Sequence, residues 1–476
     1  MATENSPLLV GYTSQGDDVY SRFRTSQKRV IVLLVSFAAL VPSFVSGSFV
    51  PSIPQIAKDF QVSGAAVSLA VSLSVFASAI GGLVWSAYSS FYGRRPTYLW
   101  GMPLMAIGSF GTAISTDLPS LLFWRFVQAL GCSGGMPIGA AVIGDIYQVE
   151  ERGSAMGSFF GASLFGLAIA PLTGGIAAEY WTWRGFQMAL GVWGLVQMSL
   201  MHLLLPETTH PNTRGIEQCK EKGSIKRLVS VNPFGSLELL KSPNLLMVMM
   251  ANTLALITDL VLLIPLSYTI GVRYNIKNDA LIGACFLPNG LGNFVGAYIA
   301  GRLSDTMVKK WKKKRDGVWY PEDRLQGVYI GAFFLVPLSV GLVGLVATCI
   351  DSPIGLSICL MCLFTNGVGV DMVLTPIGSY AVDLMGSRGA EAIAAICALR
   401  SLLLAPLSAL ILPSVDVIGI AATNGIAALL AIIGYFCIWL TIRYGDRMRA
   451  YVNVGYAKTA DQQPRSCGDA IHGPPE

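Results

Sequence analysis

Charged and amide side chains interrupt several long apolar stretches of this sequence. They are Arg125, Gln128, Asp259, Asn366, Asp371 and Arg400. A charged group at membrane depth is costly, so such residues pair with one another or line the path of a solute or an ion. An arginine can hold a carboxylate through two parallel hydrogen bonds, and a buried carboxylate can take up and release a proton. These residue types therefore indicate the transport of a polar solute or of protons.

Arg400 is the most deeply placed of these charges. It lies about ten residues, or roughly 15 Å, into its apolar stretch, which places it near the middle of a bilayer. Asp259 and Asp371 are the carboxylates that could pair with it, and a carbonyl group, water or a substrate are the alternatives. Asp371 lies nearer the inner end of its stretch, and Asn366 lies closer to the centre. We favour a functional role over a purely structural ion pair.

Arg125 and Gln128 are three residues apart, so both side chains share one face of a helix. Arg125 lies in the outer third of its stretch. Its side chain could therefore reach the membrane surface as an anchor, and this is an equal alternative to a role in the transport pathway. If Arg125 and Arg400 both face one cavity, they favour an anionic or carboxylate-bearing small molecule over a purely cationic one.

The sequence does not contain the motifs that metal centres, hydrolytic enzymes or ATP-driven pumps require. The three histidines, His202, His210 and His472, avoid the apolar centres, and the nine cysteines have no zinc or disulfide spacing. No Gly-x-Ser-x-Gly pattern and no phosphate-binding Gly-x4-Gly-Lys loop is present. We therefore expect no enzyme activity, no ATP-driven pump, no metal and no cofactor. The net charge of +5 is assigned to the membrane surface, and no nucleic-acid partner is expected.

The elements that must position these residues are membrane-spanning helices. Hydrophobic residues make up 53% of the 476 residues and charged residues 13%, against about 25% charged in ordinary soluble chains. About twenty apolar residues cross a bilayer as a helix. The sequence predicts an all-α integral membrane protein with twelve transmembrane helices, near 30–50, 65–88, 97–116, 119–144, 156–178, 185–205, 244–271, 280–300, 328–350, 354–379, 391–413 and 418–442.

A long polar loop divides these spans into two groups of six. The predicted organisation is a tail at 1–29, a six-helix bundle at 30–205, a linker at 206–243, a second bundle at 244–442 and a tail at 443–476. Most of the 33 Lys and Arg residues fall on the side of the tails and the linker; the opposite loops hold Lys58, Arg184, Arg273 and Lys277. This asymmetry predicts that both termini and the linker are cytosolic.

Two short loops carry related motifs. Gly93-Arg94-Arg95-Pro96 joins the second and third spans, and Gly301-Arg302-Leu303-Ser304-Asp305 follows the eighth. They resemble two copies of the loop signature Gly-x-Leu-x-Asp-Arg-x-Gly-Arg-Arg of the major facilitator superfamily, at positions that match its six-plus-six repeat. In the first copy, Ser90 and Phe91 stand where the family places Asp and Arg. The resemblance implies that these loops hold helix ends together at the inner surface.

The fifth span resembles the antiporter motif of the same superfamily, Gly-x8-Gly-x3-Gly-Pro-x2-Gly-Gly. Its residues are Gly157, Gly166, Ala170, Pro171, Gly174 and Gly175, and Ala170 is the departure. Small residues allow close helix contact, and a proline bends a helix, so this motif predicts a pliable span used in gating. Residues 125–131 resemble the family's Arg-x-x-Gln-Gly signature, and 321–325 and 380–384 look like its fungal branch.

The resemblance covers about residues 30 to 445 and is to fungal drug–proton antiporters with twelve spans. It implies a monomeric secondary transporter in the lipid bilayer that exports a small organic metabolite or a xenobiotic in exchange for protons. Proton-coupled uptake on the same fold is the alternative, and a transporter-like sensor is a weaker one. We expect the plasma membrane, with a vacuolar or endosomal membrane as the alternative because residues 4–9 fit an acidic dileucine pattern.

Overall fold

The computed structural model of the chain describes residues 20–49, 52–210, 213–217, 232–273, 284–316, 318–350 and 353–451. The dileucine pattern at 4–9, much of the predicted linker and parts of both predicted tails lie outside these residues. Within them the secondary structure is helical and contains no β-strand, which confirms the predicted all-α class.

In the described part of the first half, eight helices have defined bounds. They are α1 (Thr25–Gly47), α2 (Ile53–Phe60), α3 (Gly64–Tyr92), α4 (Arg94–Ile114), α5 (Leu118–Cys132), α6 (Gly135–Ile146), α7 (Val149–Tyr180) and α8 (Trp183–Leu204).

The second half forms six α-helices and four short segments of other helix types. The α-helices are α9 (Pro243–Arg273), α10 (Leu287–Lys314), α11 (Val336–Cys349), α12 (Pro353–Met385), α13 (Gly389–Ile418) and α14 (Ile420–Tyr451). Three 3₁₀ segments (Pro233–Lys241, Pro321–Val328 and Gly386–Arg388) and one π segment (Ile330–Leu335) complete the described part.

Eight spans in the described residues are long and apolar enough to cross a membrane by length and composition. The other four predicted spans coincide with α4, α7, α10 and α13, which are 21, 32, 28 and 30 residues long. The chain is therefore a multi-pass membrane protein.

Several boundaries differ from the predicted spans. The fourth span is divided into α5 and α6 at Ser133 and Gly134. A Cβ atom on Gly135 would lie 2.7 Å from the carbonyl oxygen of Ala38, so α6 restarts in close contact with α1. The ninth span begins as 3₁₀ and π turns, and the helices α10, α12 and α14 extend 14, 6 and 9 residues beyond their predicted ends. The predicted linker also contains a helical segment, Pro233–Lys241.

The helices of each half pack mainly on one another. In the first half α4 lies against α5 and α8, and α1 lies against α7; in the second half α9 lies against α14, and α10 against α12. The halves meet mainly where α7 lies against α10 and α3 against α13, and α6 and α7 also contact α12 and α6 contacts α13. These contacts form the interface across which the two bundles meet.

Both described chain ends lie at the same end of the bundles, here called the tail end. Arg22 donates to the carbonyl oxygen of Thr208 (2.8 Å), and Arg449 near the end of α14 pairs with Glu322. A continuous buried apolar cluster there includes residues of both halves, among them Met156 and Tyr380. A Cβ atom on Gly144 would lie 2.4 Å from the side chain of Val382, so the bundles are in direct contact at this end.

The orientation is tested with single cysteines in a background without the native ones. We expect Cys at Lys313, an exposed position near the tail end, to be protected from an impermeant maleimide in intact cells and labelled after permeabilisation. Lys58→Cys, exposed at the opposite end, is the matched control and should be labelled in intact cells. External labelling at position 313 would contradict the topology that the basic residues predict.

Candidate transport gate and polar pathway

Asp305 of α10 binds the N-terminal part of α7, at the fifth and sixth residues of that helix. Its Oδ1 atom accepts a hydrogen bond from the backbone amide of Gly153 (2.7 Å), and Oδ2 accepts from the amide (2.8 Å) and hydroxyl (2.7 Å) of Ser154. The N-terminal end of a helix carries a partial positive charge, which attracts a carboxylate. Because α10 and α7 belong to different halves, this contact holds the two bundles together.

Arg324 lies directly behind this contact and is fully buried. Its guanidinium binds Asp305 Oδ1 (3.3 Å), the carboxylate of Asp383 and the carbonyl oxygen of Val149. Arg152 of the first half binds the same Asp383. One buried carboxylate is thus held by an arginine from each bundle. Removing one partner of such a buried network leaves an uncompensated charge, which is strongly destabilising. We call Arg152, Asp305, Arg324 and Asp383 the charged lock.

A weaker pair lies at the edge of the charged lock. Lys312 donates to Glu150 across the two halves at 2.5 Å, and both side chains are partly exposed. Burial would raise the pKa of the Glu150 carboxyl, but the hydrogen bond and the charge of Lys312 outweigh it and hold the pKa below its ordinary value. The pair therefore remains ionised at neutral pH. An exposed pair of this kind contributes little to stability.

The first motif copy has a different role. Arg94 pairs with Asp145 at 3.0 Å inside the first bundle, and Glu207 accepts from the amide of Arg94 at 3.1 Å. Gly93 has a φ of +112°, and a Cβ atom there would lie 2.5 Å from Glu207. Arg95 donates to the carbonyl oxygen of His202 (2.7 Å). These contacts join α4 to the end of α8 and to α6, and all of them lie within one half.

The glycines of the antiporter motif lie at two kinds of contact. A Cβ atom on Gly157 would meet the carbonyl oxygen of Ala297 of α10 at 2.4 Å, and Gly301 is equally close to α7. Cβ atoms on Gly166 and Gly174 would instead meet α1, at 2.7 and 2.3 Å. Gly157 and Gly301 therefore allow close contact between the bundles, whereas the other two pack the first bundle. The helix α7 continues through residues 171 and 175, and the bend at Pro171 and the role of Gly175 stay predictions.

Arg125 and Gln128 belong to a buried polar network in the first bundle. Arg125 donates to Gln128 Oε1 (2.7 Å) and to the carbonyl oxygen of Val45 (2.9 Å), and its guanidinium lies 4.2 Å from the ring centre of Phe49. The amide of Gln128 donates to Ser109 and Gln187. Arg125 is fully buried and makes no ion pair with a described residue. Its charge is thus held inside the bundle by neutral groups.

The other four candidates lie in the second bundle. Asp259 of α9 accepts from Asn289 of α10 at 3.0 Å, and Asn366 of α12 donates to Ser339 of α11 at 3.2 Å. Asp371 is fully buried, and neither carboxylate oxygen has a hydrogen-bond partner among the described residues. The structure places these residues on neighbouring helices of one bundle, and the network of Arg125 lies in the other.

Arg400 forms neither of the ion pairs that the sequence allowed. Its guanidinium donates to the amide oxygen of Asn252 on α9 at 3.3 Å, and the side chain is half-buried. No carboxylate of the described residues pairs with it. The positive charge on α13 is therefore neither buried completely nor neutralised by the described part of the chain.

Several residues of the candidate gate and pathway were not predicted from the sequence. Arg324 and Asp383 of the charged lock fall in the ranges 321–325 and 380–384, which were noted only for their family resemblance. Asn252 and Asn289 were not among the predicted residues. The signal available for Arg324 and Asp383 was that each charge lies at the very edge of an apolar span.

Two helical bundles that cross a membrane and meet through a charged lock at one end define a polytopic membrane transporter. The family described as the Major Facilitator Superfamily matches residues 35–405. The chain belongs to this superfamily, and it is accordingly a transporter and not an enzyme.

Known proteins resemble the chain to different extents. An efflux pump of Floropilus chiversii is 24% identical over 440 residues, covering 88% of this chain and 80% of that protein. Citrate exporter 1 of Aspergillus niger is 31% identical over 189 residues, covering 40% of this chain and 36% of the exporter. The structure of the proton:xylose symporter XylE matches with a TM-score of 0.65 at 14% identity, over 90% of this chain and all of that chain. This last likeness confirms the fold alone.

Asp305→Asn tests the charged lock. The change removes the charge that binds the α7 amides, and hydrogen bonds to a charged group contribute roughly 1.5–3 kcal/mol. We expect the tail end to open more often, so that Cys at the buried Met156 is labelled by a permeant maleimide about tenfold faster. Asp416→Asn, an exposed carboxylate on α13, is the control and should leave the rate unchanged. Equal rates in both variants would contradict the lock.

Gly157→Ala tests the close contact between α7 and α10. Its Cβ would lie 2.4 Å from a backbone oxygen, so the bundles should fail to close at the tail end although the protein inserts normally. The same labelling at position 156 should increase. Gly341→Ala meets nothing within 4 Å and is the matched control. Gly174→Ala should instead reduce the amount of folded protein, because its contact with α1 lies inside one bundle.

Proposed function

We propose that this transporter exports a small organic anion, a carboxylate for preference, in exchange for protons, by alternating access at the plasma membrane. The observation that carries the proposal is the state of Arg400. It lies at membrane depth on α13, it contacts a neutral amide, and no described carboxylate pairs with it. A positive charge in this position is costly unless a counter-ion approaches.

The energetics favour an anionic solute. An arginine offers a planar set of donors that fits a carboxylate in a bidentate manner, and the interaction is strong where water is scarce. Arg125 adds a second positive charge that the described residues do not neutralise. A purely cationic solute would have to approach both charges against their repulsion. The name of the Aspergillus niger relative, a citrate exporter, agrees with this chemistry.

The charged lock supports alternating access. The described contacts between the bundles include a buried ionic network at the tail end, which closes the pathway there. Export requires the same network to separate when the solute is loaded. The contacts that cross between the bundles are the hydrogen bonds of Arg152 to Asp383, of Arg324 to the carbonyl oxygen of Val149 and of the α7 amides to Asp305. They can break together in a rigid-body motion. The basic residues support a cytosolic position of the tail end.

Arg400→Lys and Arg400→Ala test the anionic solute. The concentrations of organic acids are first measured inside and outside cells with and without the protein. The acid whose export depends on the protein is then chosen, and its flux is measured per correctly inserted molecule. Lysine keeps the charge but loses the bidentate fork, so we expect a loss of about tenfold, roughly the 1.4 kcal/mol of one charge-assisted hydrogen bond. Arg400→Ala should abolish the flux.

Arg443→Lys is the matched control, because Arg443 is exposed near the tail end of α14; it should retain full flux. Full flux in Arg400→Lys would contradict the binding role. If the solute whose transport depends on the protein is cationic, the proposed substrate class is wrong. If that solute accumulates inside cells, the proposed direction of transport is wrong. Fluorescence of a tagged chain at an internal membrane instead of the cell surface would contradict the proposed location.

A further inference from the structure

Asp371 is a buried carboxylate that the charged lock and the proposed anion site do not use. It lies in α12 within a segment, residues 369–385, in which every described side chain is buried. Both of its oxygens and the hydroxyl of Thr375, one turn further on, are buried and have no hydrogen-bond partner among the described residues. A carboxylate in this state cannot remain ionised without a large desolvation cost.

The neutral polar groups near Asp371 include the hydroxyl of Thr375, which can donate a hydrogen bond, and the amide of Asn293. Gly367, one turn before it, faces Asn293 of α10, whose Oδ1 would lie 2.9 Å from a Cβ atom at 367 and is itself unpartnered. Asn293 donates to Asn289 (3.3 Å), and Asn289 donates to Asp259. A chain of amides thus connects α12 to a second carboxylate on α9.

The charges near this cluster are negative. Asp259 is the charged group close enough to act on Asp371. The helices packed on α12 otherwise present neutral side chains at this level, Asn293 from α10 and Ser339 from α11, and Arg400 of α13 is directed to Asn252. Two carboxylates without a cation cannot both be ionised in a dry site. The ligand that such a cluster binds is a small cation.

We propose that Asp371 is the residue that binds the exchanged proton, with Asp259 as its acidic partner across the α9–α12 interface. This inference rests on the proposed proton antiport. In the conformation described, with the tail end closed, Asp371 holds one proton as a neutral carboxylic acid. When the bundles separate at the tail end and water reaches the cluster, Asp371 releases that proton to water and becomes a carboxylate. The anion that leaves in the next step moves in the opposite direction.

The position of Asp371 connects the proton to the gate. Asp383 of the charged lock lies on the same helix, twelve residues or about 18 Å further along. Movement of α12 that opens the lock therefore also changes the surroundings of Asp371. Proton release and opening of the tail end are coupled through one continuous helix, which is what an exchanger requires of its proton site.

Infrared spectroscopy of the full chain in liposomes tests the site without a known solute. The acid-minus-alkaline difference spectrum should contain a protonated-carboxyl band that disappears in Asp371→Asn and shifts in Asp371→Glu. Asp416→Asn, the exposed carboxylate on α13, should retain the band. Asparagine resembles the neutral acid in size and charge, so the variant should fold; the amount of monodisperse protein measures this directly.

The outcomes separate the site from the function. A band that persists in Asp371→Asn overturns the assignment. A band that is lost when Na⁺ replaces choline at constant pH also overturns it, because the cluster is then a sodium site. Once the exported acid is known, its transport is measured in liposomes with a pH gradient. One pH unit can drive an about tenfold accumulation of the acid, and Asp371→Asn should lose it. Exchange of the acid without a pH gradient should continue in this variant.

Failure of the proposed function gives a different pattern. If the wild-type flux does not depend on the pH gradient but the protonated-carboxyl band of Asp371 is present, proton antiport is refuted and Asp371 remains a proton-binding group. A proton-driven flux that survives in Asp371→Asn would refute only the role of this residue. A merely structural role would lower the yield of Asp371→Asn and leave the coupling of the remaining molecules unchanged.

Discussion

The arrangement of the two bundles depends on the contact between the Asp305 carboxylate and the backbone amides of Gly153 and Ser154 near the start of α7. The N-terminal end of a helix carries a partial positive charge, which attracts a carboxylate. Asp305 comes from the other half of the chain, so its hydrogen bonds to α7 also fix the position of one bundle against the other.

Arginines in this protein occur in two electrostatic environments, and the difference separates the gate from the pathway. Arg152 and Arg324 are matched by Asp305 and Asp383, so the lock is nearly neutral and can be buried. Arg125 and Arg400 are held by amides and carbonyl oxygens, which solvate a charge without cancelling it. Such a charge has no counter-ion among the described residues, which supports the solute-binding role proposed for Arg400. The identity of the partner, rather than burial alone, distinguishes the two environments.

The sequence predicted the features that depend on local spacing. Twenty-residue apolar runs give the spans, and the fixed spacing of Gly157, Gly166 and Gly174 gave close helix contacts that the structure contains. The partners of the charges could not be predicted, because Arg152 and Asp383 are 231 residues apart and meet only when the bundles pack. For the same reason Arg400 was given two possible aspartates, and its actual partner is an asparagine on α9.

The two motif copies now have a physical explanation for their inequality. The first copy retains Gly93, Arg94 and Arg95, which join helices inside one bundle, and has Ser90 where a carboxylate would reach the opposite bundle. The second copy retains Asp305, which makes that contact. The contact between α3 and α13 includes apolar residues of one buried cluster, among them Trp85 and Ile393. The charged lock lies on the other side of the interface, where α7 meets α10, so the two sides of the interface differ in polarity.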